Sequence, residues 1–258
     1  RISPEAPIPV LNTTSSYHRL GGAANVANNI SSLGAKCTLV GKAGYDANYD
    51  LLIELLKNNK IDAHVIKSKH FKTISKTRII SNEHQIVRID EELIEDTNES
   101  EISKVLEYVR GKLFDIIIVS DYNKGFINQN LITELKNLDI PIIVDPKPDN
   151  ISLYRGVHTI TPNKSEASKV YSESDIQVAG IKLKKELDTN VVITMGKEGV
   201  MLCCGDRVKR IPTTAQQVID VSGAGDTFIS VYALFIALNC ELQASVEIAN
   251  IACGLVVK

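Results

Sequence analysis

From about residue 100 onward, short apolar runs alternate with amphipathic stretches. DIIIVS (115–120), PIIVDP (141–146), VHTITP (157–162) and VVITMG (191–196) are almost wholly apolar, and QNLITELKNL between the first two has a helical pattern. A strand with one wet face alternates apolar and polar residues; a run that is apolar throughout is buried on both faces, as happens when helices cover a parallel sheet on each side. The pattern predicts an α/β fold with a mostly parallel central sheet and helices on both faces.

Two stretches break that rhythm. The opening PEAPIPVLN has no helical spacing, and residues 63–92 (AHVIK, TISKTRIISN, HQIVRIDEE) alternate apolar with polar, with no helix between them. Period-two alternation around Asn82 and Glu83 predicts antiparallel strands with one wet face, a small β flap from about residues 5–19 and 63–92. Such a flap closes over a ligand or pairs with a second copy, unless it is a plain edge hairpin.

Composition narrows the partners. The chain has 258 residues, 44% hydrophobic, with 29 basic and 31 acidic residues and no long run of one sign. That suits a single domain over residues 1–258 with a buried site, and it argues against nucleic acid or an anionic membrane as partner. No segment reaches the roughly 18 uninterrupted apolar residues of a spanning helix. The five cysteines (Cys37, Cys203, Cys204, Cys240, Cys253) form no CxxC pair and lie mostly in apolar runs, which fits buried thiols in a reducing cytoplasm. Arg1 in the first position and the apolar pattern still running at Leu255–Lys258 suggest a domain cut at both ends.

The chemistry concentrates at VIDVSGAGDTF (218–228). A dinucleotide fingerprint would need a third glycine where Phe228 stands, and the Gly-Lys pairs at 41, 111 and 196 are followed by Ala, Leu and Glu rather than the Ser or Thr of a phosphate loop. After the turn, Phe228, Val231, Tyr232, Phe235 and Leu238 recur at helical spacing, so Gly223-Ala224-Gly225 lies at a helix N-terminus, where unpaired N–H groups attract anions. On the turn alone, Asp226 is equally a helix cap and a base that takes a proton from an attacking hydroxyl.

Seven motifs occur in order: GGAANVANNISSLGA (21–35), DYNKG (121–125), VDPK (144–147), TPNKSE (161–166), TMGKEG (194–199), DVSGAGD (220–226) and IANIACGLVV (248–257). Together they resemble the ribokinase-type, or PfkB-type, carbohydrate kinases over nearly the whole chain. RISPEAPIPV, RLGGAANVANNI, SNEHQIVRIDEE and VDPKPDN look closest to the heptose 7-phosphate kinase domain of bifunctional kinase/adenylyltransferases of lipopolysaccharide synthesis. The resemblance implies ATP as phosphoryl donor, Mg2+ and a monovalent cation. Asp226 would be the general base, with Gly223, Ala224 and Gly225 as the anion hole. Asn163 and Glu166 match the NxxE motif that organises magnesium through water, unless they are only a helix cap. Thr194, Gly196 and Gly199 match the loop under the ATP phosphates, Asp220 a position near the nucleotide and the cation loop, and Asn250 the helix beside the adenine.

For the sugar, the resemblance implies Gly21, Gly22 and Asn25, whose GGAAN is otherwise a helix start, together with Asp121, Lys124 and Lys147 after strand ends. Arg78 and Arg88 on the flap are candidates for gripping a sugar phosphate, against the plainer reading of surface decoration. The family's N-terminal strand with a GDxxxD-like segment is absent from the sequence, as is any adenylyltransferase domain expected to follow. A phosphorylated sugar as substrate and a homodimer through the flap complete the expectations.

Overall fold

The structure, a computed structural model, describes residues 4–7, 10–81, 84–213 and 223–256. The chain runs α1 (Ala23–Ser32), β1 (Thr38–Ala43), α2 (Ala47–Asn58), β2 (Asp62–Lys67), β3 (Lys72–Ser81), β4 (His84–Leu93), α3 (Glu99–Arg110), β5 (Ile117–Ser120), α4 (Gln129–Lys136) and β6 (Ile142–Asp145). It continues with β7 (Thr159–Ile160), α5 (Lys164–Tyr171), α6 (Ile176–Leu187), β8 (Asn190–Thr194), β9 (Val200–Cys204), β10 (Arg207–Ile211), α7 (Ala224–Ala237) and α8 (Leu242–Val256).

The central sheet has the order β10-β9-β8-β7-β6-β5. β5 to β8 are parallel and β9 and β10 are added antiparallel. Its apolar runs are divided residue by residue between two cores. Ile142, Val144, Val191, Ile193, Met201 and Cys203 face the helices α3, α4, α5 and α6, whereas Ile143, Val192, Val200 and Leu202 face α1, α7 and α8. Successive side chains of a strand point to opposite faces, so only an all-apolar run can serve both. The expected α/β fold with helices on both faces is present.

The helix α7 is anchored by Phe228, Ile229 and Tyr232, all at or below 1% exposure. Burial of each contributes about 1.5–3 kcal/mol, enough to fix the first turn and the acid in it. The Tyr232 hydroxyl is paired with Thr159 Oγ1 at 2.8 Å, so its polar end is satisfied inside the core.

The small antiparallel sheet is the β3-β4 pair, with Arg78 directly opposite Arg88 and Lys76 opposite Asp90. It is smaller than the sequence suggests. Residues 63–67 belong to β2, which pairs in parallel with β1 rather than with the flap. β2 buries only one face, with Ile66 against α3, so its alternation looks the same as that of a hairpin strand. The described residues within 4–20 form no strand, and Pro4 and Pro7 there lack the N–H groups a ladder needs. Among the described residues no helix is long and apolar enough to cross a membrane.

Candidate active site

The parallel strands end at one rim of the sheet, and the motif residues follow those ends, as ligand sites do in open α/β sheets. Asp121 to Gly125 follow β5, Asp145 closes β6 with Lys147 beyond it, Asn163 caps α5 after β7, and Thr194 closes β8. The N-termini of α1 and α7 meet at the same place: Asn25 Nδ2 donates to Asp226 Oδ2 at 2.6 Å. Ser230 stitches the two helices below this contact, its hydroxyl 2.6 Å from Asp226 O and 3.3 Å from Val26 O.

Gly223 is the N-cap of α7, with φ +79 and ψ 0, and no side chain caps the helix. The N–H groups of the first turn are therefore left for an anion, at the positive end of the helix. Asp226 lies in that turn, half-buried. Burial pushes its carboxyl up from the ordinary carboxylate value, while the Asn25 amide, the Tyr122 hydroxyl and the Lys147 charge pull it back toward ionisation. The result is a desolvated carboxylate with oriented partners, the environment of a proton acceptor.

Lys147 Nζ donates to Glu166 Oε1 at 2.6 Å and lies 5.7 Å from the centre of the Tyr122 ring. Burial disfavours its charge, but Glu166, Asp145 and Asp121 outweigh that and hold its pKa above the ordinary lysine value. Asn163 and Glu166 form a reciprocal capping box: Asn163 Oδ1 accepts from Glu166 N at 2.9 Å, and Glu166 Oε2 accepts from Asn163 N at 3.0 Å. Asn163 also forms a bridge with Thr194, which brings the NxxE and TxGxxG segments side by side.

Other expected residues stand differently. Asp121 is 1% exposed, and its carboxylate accepts from Tyr154 Oη at 2.7 Å, Asn123 N at 2.7 Å and Asn150 Nδ2 at 3.0 Å. With its lone pairs committed, it braces the loops after β5 and β6 from below instead of meeting a sugar. Asn250 is buried and donates to Pro212 O at 2.8 Å, tying α8 to the chain after β10. Gly199 (φ +87) sits where the backbone of 211–213 crosses, whereas Gly196 (φ +57) is open. Lys124 Nζ reaches Glu92 Oε1 at 2.8 Å and so links the loop after β5 to the flap. Arg88 pairs with Asp90 through Nε at 2.8 Å and Nη2 at 3.1 Å. Gly21 and Gly22 lead into α1; Gly22 has φ +57 and ψ −137, a conformation that favours glycine, and the Tyr122 ring lies within van der Waals contact distance, 3.4 Å from where a Cβ would stand. Asp220 lies outside the described residues.

Two residues of the site escaped the sequence reading although both lie in motifs it singled out. Tyr122 spans Gly22, Asp226 and Lys147, and burial and the neighbouring Asp226 push its hydroxyl up to about 12. Asp145 is lifted to about 7 by burial and by Glu166, with Lys147 only partly compensating.

This geometry has a counterpart among known proteins. The model of the pfkB family of carbohydrate kinases matches residues 2–258. The chain is 38% identical over 267 residues to the bifunctional protein HldE of a Nitratiruptor species, covering 100% of this chain and 57% of that protein. It thus spans little more than half the length of this curated relative. Among solved structures, phosphofructokinase-2 from Escherichia coli in its tetrameric inhibited form superposes with a TM-score of 0.82 at 20% identity, over 98% of this chain and 87% of that one. Ribokinase from Arabidopsis thaliana, complexed with ribose and ATP, gives 0.76 at 20% identity over 96% and 84%. Matched over residues 2–258 by the family model, and folded around a ribokinase-like sheet, the chain belongs to the pfkB family of carbohydrate kinases.

Proposed function

We propose that the chain transfers the γ-phosphoryl group of ATP to the anomeric hydroxyl of D-glycero-β-D-manno-heptose 7-phosphate, giving the 1,7-bisphosphate and ADP. The observation that carries this reading is Asp226: an acid in the first turn of an uncapped helix, half-buried and held by Asn25 from the opposite end of the chain. Simple anion binding has no use for a carboxylate there, because its charge opposes the ligand; a proton acceptor beside a phosphoryl site does. The heptose is supported by the relative named HldE and by the motifs nearest to heptose 7-phosphate kinases.

In this reading Asp226 receives the proton of the anomeric O–H as that oxygen forms its bond to the γ-phosphorus and the bond to the β-phosphate oxygen breaks. The N–H groups of Gly223, Ala224 and Gly225 face the charge on the transferring group. Gly21, Gly22 and Asn25 hold the sugar hydroxyls, and Lys147 faces the phosphate charge. Thr194 and Gly196 border the nucleotide.

The acids at the strand ends fit a hydrated magnesium ion. Among the described residues no group of three or more acid, histidine or cysteine side chains could ligate a metal directly. Asp145, lifted to about 7, marks a centre short of positive charge. Both Glu166 oxygens are already engaged, by Lys147 and by Asn163 N. Asn163 and Glu166 would therefore hold the ion through its water, as suits magnesium, and the ion would neutralise phosphate charge.

The 7-phosphate has a natural receiver on the flap. Period two places Arg88, Asp90 and Glu92 on one face of β4, with Arg78 and Lys76 opposite on the same face, and Lys124 touches that face through Glu92. Two arginines directly opposite each other repel, and a dianion between them relieves the repulsion. The exposed Ile80, Ile86, Val87 and Ile89 of the same sheet support pairing with a second copy of the chain, which sedimentation at several concentrations tests.

The test of the reaction is ADP release from ATP and magnesium across heptose 7-phosphate, fructose 6-phosphate, ribose and adenosine. Turnover with the heptose, lowered roughly 10²–10⁴-fold in kcat by Asp226→Asn, is the expected result. Turnover with another acceptor alone overturns the substrate, and an unimpaired Asp226→Asn variant overturns the base.

A further inference from the structure

We infer that Asn25 is a positioning residue of the phosphoryl-transfer site: its amide holds the Asp226 carboxylate toward α1 and off the N-terminus of its own helix, which leaves the N–H groups there for the transferring phosphoryl group. The inference rests on the reading of Asp226 as the base.

Asp226 is the third residue of α7 after its N-cap, Gly223. An acid at that position is placed to reach back to the N-cap N–H and close the helix end. The chain does this twice elsewhere. Glu101 Oε2 accepts from Asn98 N at 3.0 Å in α3, and Glu166 Oε2 accepts from Asn163 N at 3.0 Å in α5. In both, an asparagine N-cap returns the bond. α7 has a glycine N-cap instead, and Asp226 Oδ2 accepts from Asn25 Nδ2 on another helix at 2.6 Å. A carboxylate drawn onto the unpaired N–H groups of its own helix would fill the anion hole and spend the lone pairs that receive a proton. The Asn25 amide opposes that pull.

The donor is rigidly mounted. Val26 and Ile30 of α1 are buried in the same core as Phe228, Ile229 and Tyr232 of α7. The Ser230 hydroxyl, bonded to both Asp226 O and Val26 O, fixes the two backbones together. Ala24 and Val26, on either side of Asn25, are buried. Asn25 Nδ2 also lies 3.7 Å from where a Cβ on Gly223 would stand, so the amide rests against the turn itself. As a neutral donor it favours the charged carboxylate, against the burial that disfavours it. Its second N–H and its Oδ1 can meet a sugar hydroxyl, so one side chain joins the acceptor to the base.

The experiment is a double-mutant cycle. ADP release from ATP and magnesium is measured with heptose 7-phosphate, fructose 6-phosphate and ribose for wild type, Asn25→Ala, Asn25→Leu, Asp226→Asn and the two double variants, with thermal melts to confirm folding. Each Asn25 variant alone is expected to lose about tenfold to a hundredfold in kcat, the worth of a hydrogen bond to a charged group. A residue that acts through Asp226 costs nothing more once that carboxylate is gone, so both double variants should match Asp226→Asn in kcat. Any contact with the sugar is read separately, as a KM raised equally in both backgrounds. Folded Asn25 variants with unchanged kcat, or kcat losses that repeat in full beside Asp226→Asn, overturn the inference while leaving the kinase intact. A wild type inactive on every sugar overturns the proposed reaction, and the inference with it.

Discussion

Replacing Gly199 with alanine separates the two glycines of the TxGxxG segment. Gly199 has φ +87 and ψ −133, a conformation that residues with a Cβ rarely adopt. An added Cβ would stand 2.1 Å from Ile211 O, 2.7 Å from Thr213 N and 2.8 Å from Pro212 C. All three are backbone atoms, so relief means displacing the end of β10. The dihedral costs about 1–3 kcal/mol, and overpacking adds about 1–3 kcal/mol. At about 2–4 °C per kcal/mol for a domain of this size, the melting midpoint should fall by roughly 5–20 °C. Gly196 carries φ +57 with nothing within 4 Å of its virtual Cβ. Gly196→Ala should cost only the left-handed penalty of about 1–2 kcal/mol. With ATP placed beside Gly196 as proposed above, the functional effect expected of the added methyl is a higher KM for ATP. Thermal and urea unfolding of the wild type and both variants, with KM for ATP alongside, reads the contrast. Equal destabilisation of the two, or a Gly199→Ala loss below about 1 kcal/mol, would refute the assignment of Gly199 to a backbone crossing.

Two further expectations concern charge. Asp145 titrates near 7 in the folded chain against an ordinary value of 3.8, because burial disfavours its charge. The folded state thus binds the proton more tightly, and the stability this lends is complete below about pH 4 and is lost as pH rises toward 7. Asp145→Asn should therefore melt progressively higher than wild type as pH goes from 4 to 8, without nucleotide or metal; a pH-independent difference would count against it. On the flap, Arg78→Ala and Arg88→Ala should each raise KM for heptose 7-phosphate about tenfold or more with kcat little changed. Unchanged KM in both would remove the arginines from sugar-phosphate binding.

Much of this was legible from one sequence because it is local. All-apolar runs name strands buried on both faces, and Asn163 followed by Glu166 three residues later is a capping box in the structure. The misplaced parts depend on neighbours distant in the chain. β2 looked like a flap strand because a half-covered edge strand and a hairpin strand share the same alternation. Asp121 looked like a ligand contact because an acid after a strand usually is one; its burial depends on Tyr154 and Asn150, about thirty residues on. Tyr122 carried no signal of its own, since a tyrosine in a loop becomes informative only when Gly22 and Asp226 are seen on either side of it.

The bond between Asn25 and Asp226 joins positions 201 residues apart. During synthesis, the first half of the site would wait while nearly the whole domain is made, and closing so long a loop must be driven by the packing of α1 against α7 rather than by the bond itself. Phosphoryl transfer would then arise late and all at once on the ribosome's product. Nascent chains ending before α7 would carry the sugar-side turn with neither Asp226 nor the helix on which α1 packs, and so would have no assembled site.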